Sequence, residues 1–148
     1  MFLASSLIAL LASGSAMSIP GGALVIPADC KGPKDLPMMV DHFTGSIECK
    51  EEGLTILIYG DVTIRDACSM RSWSPYAGEK LTIHPLKGTP LIMCSVDRKA
   101  AKSGKITKEM MIDLGGFQLV SEVRNPRHAF LLLQIAMSYR PVEEKGRK

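Results

Sequence analysis

Three histidines, four cysteines and one cluster of hydroxyl and aromatic side chains are the residues of this 148-residue chain whose types allow chemistry. His42, His84 and His128 stand far apart, and no two have the short spacing that puts a pair of metal ligands on one helix face or one loop. Ser69, Ser72 and Ser74 lie beside Arg71, Trp73 and Tyr76 in a loop-like stretch. No small-residue elbow surrounds any of these serines, so an activated nucleophile is not expected there. Glu51-Glu52 and Glu143-Glu144 are paired acids, but on a turn and on a polar tail, where solvation accounts for them. No residue is assigned to catalysis, to a cofactor or to a metal, and no cofactor is expected.

Cys30, Cys49, Cys68 and Cys94 contain no Cys-x-x-Cys pair, which disfavours zinc and thiol redox chemistry and favours structural disulfides. Four cysteines allow three pairings. Joining Cys30 to Cys49 and Cys68 to Cys94 ties the lead-in to a first strand and one strand end to a later strand, and is the preferred pairing. An oxidising compartment also suits the N-terminus, because residues 1–28 carry no charged side chain and an apolar run ends in small residues near Ala16. Residues 1–19 therefore read as a signal peptide or an N-terminal membrane anchor; the basic start typical of the former is missing. The net charge of +3 is too small to call for a nucleic-acid partner.

Between Ser18 and Pro37 four prolines and three glycines break any period, so residues 20–43 read as a linker. From Gly45 to Cys68 apolar and polar residues alternate in three runs. Leu54, Ile56 and Ile58 share one face, Val62 and Ile64 continue it, and Gly60-Asp61 suits a two-residue hairpin turn. Lys80–Leu86 and Leu91–Val96 read as a fourth and a fifth strand, joined across the turn at Lys87–Pro90. After a charged connection, Ile106, Met110, Met111 and Leu114 recur at helical spacing before Gly115-Gly116, which predicts a short amphipathic helix. Phe117–Val120 is extended. Asn125-Pro126 then supplies an N-cap and a first-turn proline for a last helix running to about Tyr139.

Five strands followed by a helix is the order of an OB-type barrel, and three stretches resemble motifs of the staphylococcal-nuclease-like (thermonuclease) family: Glu52-Gly-Leu-Thr-Ile56, Val62-Thr-Ile-Arg-Asp-Ala67, and Cys94 with Gly104–Gln118. The resemblance covers about Thr44 to Val120. It implies a mainly β fold with α, a β-barrel of five strands plus two or three helices, spanning 44–140 and followed by a polar tail at 141–148. The family's chemistry needs carboxylates around a divalent cation and arginines on the phosphate. This chain departs at those places: Leu54 stands where the second carboxylate would be, Thr63 and Thr89 where the arginines would be, and Ala67-Cys68-Ser69 lacks the acidic ending.

The resulting expectation is a non-catalytic exported barrel acting as an accessory or structural subunit of a membrane-associated or periplasmic complex. The alternatives are a divergent exported metal-dependent nuclease and an oligosaccharide- or nucleic-acid-binding OB module, the latter using Trp73, Tyr76 and Arg71. Between Ala129 and Met137 the only polar side chain is Gln134, so one face of the last helix needs cover from outside the barrel. Phe130, Leu131, Leu132, Leu133 and Met137, with Trp73 and Tyr76, are thus the expected contacts to another protein or oligomer. Residues 1–19 offer a membrane attachment, and nucleic acid is not an expected partner. The expected core includes Ile56, Ile58, Val62, Ile64, Ile92 and Leu114.

Overall fold

The computed structural model describes residues 14–61, 68, 79–88 and 91–142. Nine strands and one α-helix follow in order among them: β1 (Ser15–Ile19), β2 (Gly22–Ile26), β3 (His42–Cys49), β4 (Leu54–Asp61), β5 (Glu79–Pro85), β6 (Ile92–Lys99), β7 (Ile106–Asp113), β8 (Phe117–Val123), α1 (Pro126–Met137) and β9 (Arg140–Pro141). The fold is mainly β. Six strands form one antiparallel sheet in the order β3-β4-β8-β7-β6-β5, and β1-β2-β9 form a second, smaller one. The larger sheet is open, with β3 and β5 at its ends, so the expected closed five-stranded barrel is not formed.

Alternation decides which side of the large sheet is which. On β3, β4 and β8 the residues Phe43, Ile47, Cys49, Leu54, Ile56, Ile58, Phe117 and Leu119 are buried at period two, and the register sets Ile47 opposite Ile56 and Ile58 opposite Leu119. Met17, Ile19, Leu24 and Ile26 of the small sheet and Leu131, Leu132, Ile135 and Ala136 of α1 join the same core. On the opposite side a smaller cluster gathers Cys68, Cys94 and Met111, with Leu81 and Val120 against it. Of the expected core, Ile56 and Ile58 are fully buried and Leu114 packs against the cluster. Ile92, on the other side of β6, is 37% exposed, and Val62 and Ile64 lie outside the described residues.

Four expectations are corrected. Ile106–Asp113 is a strand and not a helix, which leaves one α-helix among the described residues. It lies between β6 and β8, pairing along its length with the former, so both of its sides are covered: Met110 and Ile112 enter the main core, Met111 the smaller cluster. An apolar strand buried on both sides mimics helical spacing. Gly115-Gly116 is the β7–β8 turn, closed by Leu114 N–H donating to Phe117 O and Gly115 N–H to Asp113 Oδ1, both at 2.9 Å.

Gly60 is the second correction. It does not turn the chain but sits inside β4, opposite Phe43 on one side and Phe117 on the other. The Phe43 ring fills the space a Cβ would take. Third, the expected linker at 20–43 contains β2, and the stretch taken as part of an export segment contains β1, whose Met17 is fully buried. Pro20-Gly21, where Gly21 adopts φ +87°, is the tight turn between those two strands. Residues 1–13 lie outside the described residues. Fourth, the tail begins one pairing later than expected, because Arg140 and Pro141 form β9 beside Ala23 and Gly22.

Both preferred disulfides are present. Cys30–Cys49 has a Cα–Cα distance of 4.1 Å and joins the segment before β3 to the end of β3, whereas Cys68–Cys94, at 5.9 Å, pins residue 68 to the middle of β6. No cysteine is free. Two such bonds place the folded chain in an oxidising, extracytoplasmic environment. Among the described residues no helix is long and apolar enough to cross a membrane.

Candidate functional site

The three histidines occupy three separate environments. His42 is paired with Asp41 on the surface, Nδ1 to Oδ1 2.9 Å. His128 is 2% exposed in the first turn of α1, and both of its ring nitrogens are committed. Its Nδ1 accepts from Arg124 N–H at 3.2 Å, which fixes the proton on Nε2, and that proton goes to Glu52 O at 2.6 Å. The Asn125 side chain caps the same turn by accepting from His128 N–H at 3.1 Å, and Arg127 pairs with the Glu52 carboxylate. His128 is therefore a clasp between α1 and the Lys50–Glu52 turn. No group of three or more His, Cys, Asp or Glu that could hold a metal is present among the described residues.

His84 differs. It lies on β5, two positions along from Thr82, which faces Ser95 of β6, so His84 and Ser95 are diagonal neighbours on one side of the sheet and their Nε2 and Oγ atoms are 2.8 Å apart. Ser95 is 3% exposed. The pair forms part of the floor of an open groove of about 390 Å³, with Lys108 and Met110 of β7, Val123 of β8, and Arg124 to Pro126 with Ala129 at the start of α1. The helix packs against β7 and β8 of this sheet and against β2 of the small one. A second groove of about 520 Å³ continues from Lys108 and Arg124 towards Asp97 and Lys105. Neither Ser95 nor Lys108 stands out in the sequence. Their meeting with His84 follows only from the β5–β6 and β6–β7 registers.

The expected partner contacts on α1 divide by helical phase. Leu131 and Leu132 are buried in the chain's own core and are not available to a partner, and Leu133 is half-buried. Phe130, 60% exposed, and Met137, 49% exposed, lie seven residues apart on the outer stripe. Arg127 is on the same stripe, and Arg124 and Arg140 flank the helix; residues 124–141 contain no acidic side chain. Beyond β9, Val142 is also exposed. A further apolar surface, without a signal in the sequence pattern, lies in the stretch expected as a linker: Met38, Met39 and Val40 are consecutive and exposed, Val40 completely, in a turn closed by Met39 N–H to His42 O at 2.8 Å. Trp73, Tyr76, Arg71 and the three serines of that loop lie outside the described residues.

No family model, curated protein or solved structure matches this chain.

What the arrangement can do is thus read from its own side chains. Leu54, where the resemblance would put a metal-binding carboxylate, is 3% exposed and packs into the core. Tyr139 closes the far end of α1, edge-on to Phe117 at 5.0 Å between ring centres, and burial raises its phenol pKa above the ordinary value of about 10.

Proposed function

We propose that this chain is a non-catalytic, exported accessory subunit that docks onto another protein of an extracytoplasmic, membrane-associated complex. The observation that carries the reading is the outer stripe of α1. A helix whose inner side is fully used by the core keeps Phe130 and Met137 in water, and each such side chain contributes about 1.5–3 kcal/mol when it is covered. Single exposed apolar residues such as Leu57 and Ile83 stand on separated strands and need no explanation; a stripe on one helix does. The arginines around it, with no acid between residues 124 and 141, match a partner surface that is apolar at its centre and acidic at its rim. Met38–Val40 offers a second apolar contact. Kinship with thermonuclease-like barrels belongs to the same proposal and agrees with a lost activity, since Leu54 is a core residue. The uncharged segment ahead of β1 supplies the export signal or a tether.

The test compares the outer and inner sides of α1. The double substitution Phe130→Asp with Met137→Asp is expected to leave the melting temperature within about 2 °C, as for surface changes within ~0.5 kcal/mol. The variant should run at the mass of a single copy in the extracytoplasmic fraction of its native cell, where the unaltered chain runs in a larger species. An unaltered chain that runs as a single copy in that fraction would refute the proposal.

A further inference from the structure

The groove at His84 and Ser95 shares Arg124 with the flank of the docking stripe but neither Phe130 nor Met137, and its lining is chemically one-sided. Its polar groups are the His84 imidazole, the Ser95 hydroxyl, the Lys108 ammonium, the Arg124 guanidinium and the Asn125 side chain, with no carboxylate among the lining residues. The nearest acids belong to the adjoining groove. Asp97 Oδ1 is 3.9 Å from Lys108 Nζ, beyond hydrogen-bond reach, and Glu122 takes only the Nε of Arg124, at 3.3 Å. Among the described residues each cation thus keeps one exposed ion pair, Lys108 with Asp97 and Arg124 through its Nε with Glu122, which leaves further N–H donors on both for a ligand. Met110, Val123, Pro126 and Ala129 supply the apolar remainder.

Concave, mostly apolar walls with a few convergent polar groups are the general form of a small-molecule site, and about 390 Å³ lies at the small end of the usual range of roughly 300–1,000 Å³. Donors and two exposed cations beside an open apolar strip favour a negative head on a short apolar body, because a neutral ligand would displace water from their remaining N–H groups without replacing those hydrogen bonds.

We propose that the groove between strands β5–β8 and the first turn of α1 binds a small anionic amphiphile, its carboxylate or phosphate head against Lys108 and Arg124 with His84 beside it, and its hydrocarbon body along Met110, Val123, Pro126 and Ala129. The His84–Ser95 hydrogen bond, 2.8 Å from Nε2 to Oγ, fixes one edge of the imidazole, and its other nitrogen has no partner among the described residues and is assigned to the head group.

The test is calorimetric titration of the disulfide-intact full chain with decanoate, decyl phosphate, decanol and decyltrimethylammonium, each below its micelle concentration. One-to-one saturation by decanoate or decyl phosphate is expected, with decanol at least tenfold weaker and no binding of the cation. Lys108→Glu and Arg124→Glu are each expected to weaken the anionic probe at least tenfold, while Lys102→Glu, on the exposed β6–β7 turn, leaves it unchanged. Both substituted sites are exposed, and unchanged melting of the variants confirms that folding is retained. No saturable anion binding, equal binding of decanol, or affinity untouched by both charge reversals would each overturn the proposal.

Discussion

At the residue scale the sharpest physical constraint is Gly60. Its neighbours across both strands are phenylalanines, Phe43 and Phe117, whose ring centres are 6.1 Å apart, and the Phe43 ring lies where a side chain would start. Gly60→Ala is expected to cost about 1–3 kcal/mol, the range for overpacking. Urea denaturation measures it, and adding Phe43→Leu should recover part of the loss. Gly-Asp reads as a turn because such pairs commonly are, and only the β8 pairing reveals the alternative. Tyr139, at the end of the same aromatic row, gives a pH dependence. Its folded pKa is raised by burial, so the native state keeps a proton that the unfolded chain loses near pH 10. Its contribution is complete below pH 10 and is lost as pH rises through the raised value. Between pH 9 and pH 11 Tyr139→Phe should therefore lose less stability than the unaltered chain, as read from denaturation midpoints. His84 could be singled out from the sequence as a strand histidine, but its meeting with Ser95 needed a register across a hairpin eleven residues wide.

Among the elements, those whose apolar residues lie on one side were legible and those covered on both were not. β3 and β4 show clean alternation, and α1 announces itself through Asn125 and Pro126, its cap and first-turn proline. β7 is the counterexample: with Met110, Met111 and Ile112 all buried, no period separates strand from helix, and the β6 and β8 ladders decide. The β1–β2 hairpin was hidden differently. An uncharged apolar stretch broken by Pro20-Gly21 has the composition of an export segment, yet Met17 and Leu24 are fully buried under α1 and the sheet. The disulfides could be weighed from spacing because each joins nearby elements. Their removal is a direct test at this scale. Sequence separations of 19 and 26 predict a loss of about 3 kcal/mol for each pair changed to serine, measured by thermal unfolding with the other bond intact. His128→Ala should cost about 2 kcal/mol or more, since Arg124 N–H and Glu52 O would both lose their partner.

At the scale of the whole molecule the described residues leave the outer stripe of α1 with its arginines, the donor-rich groove beyond the helix's first turn and the Met38–Val40 turn unused by the fold, the first two meeting only at Arg124. Their separation gives each an independent readout, because Lys108→Glu should leave docking intact and Phe130→Asp with Met137→Asp should leave the groove intact. The division within α1 is what makes the docking claim sharp. Leu131→Asp is expected to unfold the chain, whereas the same charge at position 130 is expected to spare it, although the two residues are adjacent. The most direct measurement is photo-crosslinking in the native extracytoplasmic fraction, with a photoreactive side chain placed at Phe130, at Met137 or at Thr55 on the opposite side of the large sheet. The predicted result is one discrete adduct of the same mass from positions 130 and 137, its mass differing from that of two copies of this chain, and none from position 55. Adducts equally abundant from all three positions, an adduct of two copies of this chain, or none from position 130 would contradict docking through α1.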